Sequence, residues 1–476
     1  MKIILICNQS LVEKKYGGTS YIFWLQVNRL LDFFQWKSFK ASLALLDVKA
    51  DMAKYHLPPV SDGMDQRQVK DAVDGIYAAE KPDCMALMGA QDILPFQMLK
   101  DTTPKSEQQF VASDLPYASD HAYSVDISAF VLPSRAVTRI PDLYGATSVE
   151  GMDIFIRTVD ACLLDKPQPI SAYTDVFCLY AKDWEWDTNQ ALAKLSPGAA
   201  VHKYDSPPHE SPWDKKLLHQ PIHYINLHGG PLENDFYGQR GNDFPVALNS
   251  ENLEGSLDAG TIAIALCCFG GQLYYCSGKL PFANAYLANG ASLLASTAIA
   301  YTGEAEEYSA IFMNHVRGSK MSMPSALLQT RLDYIASKQP VLDYYEQKTA
   351  AEFVLYGGAM GAYIQAAEEG TGRKAMKKQI EYIRESVGVA RYNPDLQTPE
   401  IVRRRIQGDA QKGGYEVQPG VAGFDVVSAD PAGNSAGFAE IKQYSVDMTD
   451  SLGRRHVFVY TVTEGEISDV QVYREK

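Results

Sequence analysis

The chain has 476 residues, of which 46% are apolar, 21% charged and 11% aromatic, a composition that excludes a disordered polymer and at this length predicts two or three domains. A formal charge of −14 and a pI near 5.2 argue against a nucleic-acid partner, whose phosphates such a surface repels, and favour a cationic partner or substrate. No run reaches the roughly 18 to 20 continuous apolar residues that cross a bilayer, so no membrane association is expected.

The first seven residues carry one basic residue and a short apolar run, too little for a secretory signal, and read instead as a buried β-strand. Seven cysteines, Cys7, Cys84, Cys162, Cys178, Cys267, Cys268 and Cys276, are odd in number and sit mostly in apolar runs. That usage predicts free thiols and a cytoplasmic location rather than a disulfide framework.

Short apolar runs then alternate with helical patterns, as in a parallel sheet flanked by helices. A helix is predicted over residues 21–34 and another over 67–79, before a strand at 84–88. The next strand is predicted at 130–133, leading through Arg139-Ile140-Pro141 to a helix at 149–164. Pro167 and Pro169 suggest a seam near residue 168.

In the second half, apolar runs at 175–180, 222–227, 261–266 and 291–295 predict four central parallel strands. Helices at 281–288, 308–317 and 324–337 would cover them, the last begun by a proline at its first helical position. From about residue 371 the chain turns Gly-rich and period-two in pattern, and 456–463 with 467–473 flank Glu464-Gly465-Glu466 as a hairpin would. The expected organisation is therefore an α/β unit at 1–168, a second α/β unit at 169–370 and a small β-containing module at 371–476.

Ligands of open parallel sheets gather where strands end at their carboxyl edges. Two such ends carry reactive groups. The run 222–227 leads into His228-Gly229-Gly230, and the run 261–266 leads into Cys267-Cys268-Phe269-Gly270-Gly271. Forty residues separate His228 from Cys268, room for one crossover between neighbouring strands. A thiol with a pKa near ~8.5 is only a few per cent ionised at neutral pH, so a nearby imidazole that favours the thiolate and protonates a leaving amine makes acyl transfer feasible. The glycines allow backbone N–H groups to approach an oxyanion, a role that falls to the amides of Gly229 and Cys268. A single buried cysteine or a loop histidine is ordinarily structural. Two strand-end motifs on consecutive predicted strands favour the catalytic reading.

At these residues the chain resembles the gingipain-type cysteine peptidases, of the clan that includes caspases, legumain, clostripain and separase. Leu227-His228-Gly229 and Cys267-Cys268-Phe269-Gly270-Gly271 match the clan's His-Gly and its small residue before the nucleophile, and this register selects Cys268 over Cys267. Ser113-Asp114-Leu115-Pro116-Tyr117, Arg139-Ile140 with Ile156-Arg157-Thr158-Val159, and Leu293-Leu294-Ala295-Ser296-Thr297 extend the likeness over roughly residues 1 to 340. The resemblance implies a caspase-like α/β fold in two side-by-side subdomains and a cysteine endopeptidase with a His228–Cys268 dyad acting on protein or peptide substrates. In gingipains selective for arginine, an acid after the strand that precedes the histidine strand holds the basic side chain. Asp183, within Lys182-Asp183-Trp184-Glu185-Trp186-Asp187, is the corresponding residue, whereas Asp187 reads as the cap of a helix beginning at Thr188. Thr297 and Tyr301 fall in the loop that walls the substrate pocket in those enzymes, and Trp184 and Tyr301 offer an alternative, apolar pocket.

Gingipains bind calcium, but no oxygen-rich loop with ligand spacing is present, so no cofactor is expected, while a calcium role stays open. The family's secretory signal and propeptide are not evident either. The basic stretch Arg373-Lys374-Ala375-Met376-Lys377-Lys378 is a processing loop or, alternatively, a solvated helix start, and Arg403-Arg404-Arg405 reads as an exposed face. Two other readings stay open: a catalytically silent member that binds peptides or partners through the same cleft, and a doubly wound nucleotide-binding protein. The second lacks any glycine-rich phosphate loop.

Overall fold

In the computed structural model of the chain, the residues described are 1–476 without 103–107, 146–147, 165–169, 196–199, 277, 319–320, 359–371, 430–437, 439 and 476. The apolar runs become ten strands of one sheet. In spatial order they are Lys40–Leu45, Lys2–Cys7, Cys84–Met88, Val137–Ile140, Phe353–Tyr356, Ser292–Ser296, Ile262–Ala265, Ile222–Asn226, Asp175–Ala181 and Ala200–Ser206. Pairing is parallel throughout each half. Phe353–Tyr356 joins the halves, lying parallel to Val137–Ile140 and antiparallel to Ser292–Ser296. The two halves therefore run in opposite directions, and their carboxyl edges open on opposite sides of the molecule.

Both faces of the sheet are covered, which is why the central strands are continuously apolar rather than alternating. Ile222, Tyr224, Ile262 and Ile264 pack in one cluster with Tyr308, Leu327 and Leu332 from the helices Glu304–Met313 and Met323–Ser337. Ile225, Ala263 and Ala265 face the other way, against Phe282, Ala283 and Tyr286 of the helix Phe282–Ala288. The four predicted central strands of the second half are all present and mutually parallel.

Arg139 and the Ser113–Tyr117 motif serve the fold. The buried Arg139 guanidinium grips Asp114 through two hydrogen bonds, at 2.9 and 2.5 Å, and donates to the carbonyls of Gly89 and Leu94. Tyr117 donates to the Pro95 carbonyl. Lys348 and Asp101, both with no side-chain exposure, form a 2.9 Å ion pair that pins the segment after Gln97–Lys100 to the helix Tyr344–Glu352.

Several expectations need correction. Phe130 ends a 3₁₀ turn, Ile127–Phe130, started by Asp126 accepting from the Ser128 N–H; the strand is Val137–Ile140, beyond Pro133, which has no N–H to offer a sheet. The helix placed at 308–317 begins at Glu304 and ends at Met313, followed by a π-helical turn Asn314–Gly318. The helix after the acid strand begins at Glu185, so Asp187 lies in its first turn rather than capping it, and ion-pairs with Arg474 at 3.4 Å. The seam near residue 168 falls outside the described residues.

The C-terminal module is a six-stranded sheet in the order Val341–Leu342, Gly388–Tyr392, Glu416–Ser428, Ile441–Thr449, Arg455–Thr463, Glu466–Arg474. The predicted hairpin forms its last two strands. Its first strand precedes residue 371, so the sheet reaches back into the second α/β unit. The basic stretch is no loop: it opens the helix Gly372–Ser386, with Lys377 and Lys378 exposed. Arg403, Arg404 and Arg405 are exposed on the helix Glu400–Gly413, as expected of them. Among the described residues no helix is long and apolar enough to cross a membrane, and none of the seven cysteines is joined in a disulfide.

Candidate active site

Three adjacent parallel strands deliver the candidate residues to one edge. The acid strand Asp175–Ala181 pairs with the histidine strand Ile222–Asn226, which pairs with the cysteine strand Ile262–Ala265. Ile225 lies opposite Ala265, and His228 and Cys268 each follow three residues later, so equal runs of chain carry both past the sheet. The loops then meet. A Cβ built on Gly229 would lie 2.1 Å from the Cys268 carbonyl oxygen, so only glycine lets the histidine loop rest directly on the backbone of the cysteine loop.

Each loop also carries a non-glycine residue in the left-handed region, Leu232 at φ +58° and Phe269 at φ +58°. Such conformations cost free energy and gather where a loop must present a neighbour. The Phe269 turn is held by main-chain bonds: its N–H donates to Ala298, the Gly270 N–H to Cys267, and the Gly271 N–H to Ser296.

Cys268 is 2% exposed. The Ala300 N–H points at its sulfur from 3.3 Å, and the Ala300 carbonyl lies 3.8 Å away. His228 is half-buried and borders a cleft of about 320 Å³ together with Asp183, Trp184, Gln239, Phe244, Arg454, Arg455, Arg474 and Glu475. The imidazole lies against Trp184, with ring centroids 4.2 Å apart, and near the edge of Phe244 at 5.4 Å. Its Nε2 is 2.8 Å from Gln239 Oε1. The far wall comes from the C-terminal module, whose arginines are matched by carboxylates: Arg454 with Asp450, Arg455 with Asp447 and Glu475, Arg474 with Asp187.

Asp183 stands in the same cleft as His228. Its carboxylate accepts from the Gly241 N–H at 3.2 and 3.4 Å, and Arg454 Nη1 is 4.0 Å away. Thr297 and Tyr301 are placed otherwise. The Thr297 hydroxyl donates to the main-chain carbonyls of Ala112 and Glu352, while Tyr301, 1% exposed, packs with Tyr345 and Tyr473 beneath the module. Neither borders the cleft. Trp184 does. Gln239, Phe244 and the four module residues carried no sequence signal, because they reach the site from irregular loops and from a sheet more than 180 residues downstream. Among the described residues, no group of three or more His, Cys, Asp or Glu side chains is placed to hold a metal ion.

No family model and no curated protein matches the chain. Among solved structures, one described as a protease is similar over 100% of this chain and 97% of its own, with a TM-score of 0.51 at 11% identity. The arginine-specific cysteine proteinase gingipain R aligns over 99% of this chain and 96% of its own, with a TM-score of 0.49 at 9% identity. At these identities the likeness is one of fold. The first of these likenesses spans the chain from end to end, C-terminal module included.

Proposed function

We propose that this protein is a cysteine endopeptidase in which Cys268 is the nucleophile and His228 the general acid and base. The Cys268 thiolate attacks the scissile carbonyl carbon, and the oxyanion is met by the amides of Gly229 and Cys268. As the C–N bond breaks, His228 gives its proton to the departing amine and a thioester remains. Water then attacks the thioester, His228 takes up its proton, and the sulfur leaves. The observation that carries this reading is the seating of Gly229 on the Cys268 carbonyl, which brings the two strand-end loops together at one carboxyl edge. Asp183, in the cleft with His228, is the carboxylate for a basic substrate side chain, so cleavage follows arginine or lysine.

The burial of the Cys268 thiol against Ala300 favours a second reading, a silent relative that binds peptides without cutting them. Peptidyl ketone electrophiles with arginine, lysine or neutral side chains separate the two. Labelling of the wild type is expected to vanish in Cys268→Ala, persist in Cys267→Ala and slow at least tenfold in His228→Ala, while Asp183→Asn loses the preference for basic probes. Equal labelling of all variants would overturn the site. An unlabelled wild type would leave the silent reading in its place.

A further inference from the structure

Gln239 is 5% exposed and places Oε1 2.8 Å from His228 Nε2. The other end of its amide is fixed: Nε2 of Gln239 donates to the Gly241 carbonyl at 3.2 Å. A carbonyl only accepts, so the amide nitrogen belongs on that side and the amide oxygen faces the imidazole. An oxygen there demands a proton on His228 Nε2, which leaves Nδ1 bare in the neutral ring.

We infer that Gln239 is the positioning residue of this site: it holds His228 as the Nε2–H tautomer and so leaves Nδ1 as the nitrogen that exchanges a proton with the reacting groups. This inference rests on the peptidase reading of the dyad. Trp184 and Phe244 fix the plane of the imidazole, but their ring faces cannot choose its tautomer. Gln239 itself is clamped along its backbone. Its N–H donates to the Ser206 carbonyl at 2.9 Å, and its carbonyl accepts from the Asp183 N–H at 3.1 Å.

The neighbouring Gly238 is held just as closely, because a Cβ there would stand 2.1 Å from Ser206 Oγ. Through residues 239–241 one turn touches both His228, by the glutamine side chain, and Asp183, by its main chain and by the Gly241 N–H on the carboxylate. The histidine and the specificity acid are thus registered to each other by a single rigid segment. The charged groups sharing the cleft are Asp183, Glu475, Arg454, Arg455 and Arg474. A neutral amide rather than a carboxylate against the ring orients it without adding charge to that set.

The test uses full-length protein with Gln239→Leu and Gln239→Glu. In nitrogen-15 spectra of the histidine rings, with His228→Ala giving the assignment, wild-type His228 is expected as the Nε2–H tautomer and Gln239→Leu as a mixture. Turnover of an arginyl peptide by Gln239→Leu should lose roughly tenfold to a hundredfold in kcat with little change in KM, the effect of leaving a buried donor without its acceptor. Gln239→Glu keeps an acceptor, so it should restore most of the rate and move the alkaline limb of the pH profile upward, because a carboxylate stabilises the imidazolium. A merely structural glutamine would move neither the tautomer nor that limb. An Nδ1–H ring in the wild type, or an unaltered tautomer and pH profile in both variants, overturns the inference, and the wild-type spectrum decides it even if Gln239→Leu does not fold. Absence of Cys268-dependent turnover alongside the expected spectra would remove the peptidase reading while leaving the glutamine's hold on the ring in place.

Discussion

Gly229 bears more on the site than its size suggests, because it is the point at which two loops from different strands touch. Replacement by alanine would drive a Cβ into the Cys268 carbonyl at 2.1 Å, and backbone on both sides would have to give. The expected result for Gly229→Ala is a loss of about 1–3 kcal/mol in stability with electrophile labelling of Cys268 slowed at least tenfold. Denaturant unfolding and labelling rates check it; unchanged values on both would mean the loops are not in register. At this scale the sequence pointed to His228 and Cys268, since each follows a strongly apolar run, whereas Asp183 came only from the family resemblance. It could not sort Thr297 and Tyr301 from the cleft residues, because the side of an irregular loop on which a side chain falls is set by what packs against it.

The histidine strand illustrates how an element carries a polar group through the core. His223, fully buried in Ile222–Asn226, lies 2.9 Å from the Leu218 carbonyl through Nε2 and 3.1 Å from the Tyr286 hydroxyl through Nδ1. Burial pushes its imidazole down to about 4. In the unfolded chain it titrates near ~6.5, so the unfolded state takes up the proton first as pH falls. The folded state therefore loses stability between about pH 6.5 and 4, by about 3 kcal/mol in all. In His223→Gln that acid-side loss should be smaller by the same amount in unfolding curves collected from pH 7 to 4, and parallel curves for the two proteins would refute it. The central strands of the second half were legible because both of their faces are apolar. The edge strands Lys40–Leu45 and Ala200–Ser206 were not, since their polar, partly exposed residues break the apolar run on which that reading depends.

Across the molecule, the C-terminal sheet docks through an aromatic cluster. Tyr473 stacks on Tyr345 with ring centroids 4.9 Å apart, meets Tyr301 at 6.2 Å, and donates its hydroxyl to Asp343. Glu475 bridges to Tyr301, and the Thr302 N–H donates to the Arg474 carbonyl at 2.9 Å, so the last strand is tied to the loop that begins at Thr297. That loop also supplies the Ala300 N–H facing the Cys268 sulfur. Module and second α/β unit share a core. Tyr473→Ala is therefore expected to lower the stability of the whole chain by about 3–5 kcal/mol within one cooperative transition, and to alter the rate of Cys268 labelling. Calorimetry and denaturant titration report the first effect. A separate early transition for the module alone, with the main one unmoved, would show that the two units are independent.

The chain's own pattern determined the parallel α/β character, the strands that end in His228 and Cys268, and the C-terminal hairpin, because periodicity and strand-end glycines are local properties. Tertiary structure alone decided that Phe353–Tyr356 would join two oppositely directed half-sheets. It likewise brought Gln239 to the imidazole and let a distant sheet wall the cleft with Arg454, Arg455, Arg474 and Glu475. Those contacts depend on how finished elements pack, and packing follows from the shape and burial of surfaces far apart in sequence, which no local window records.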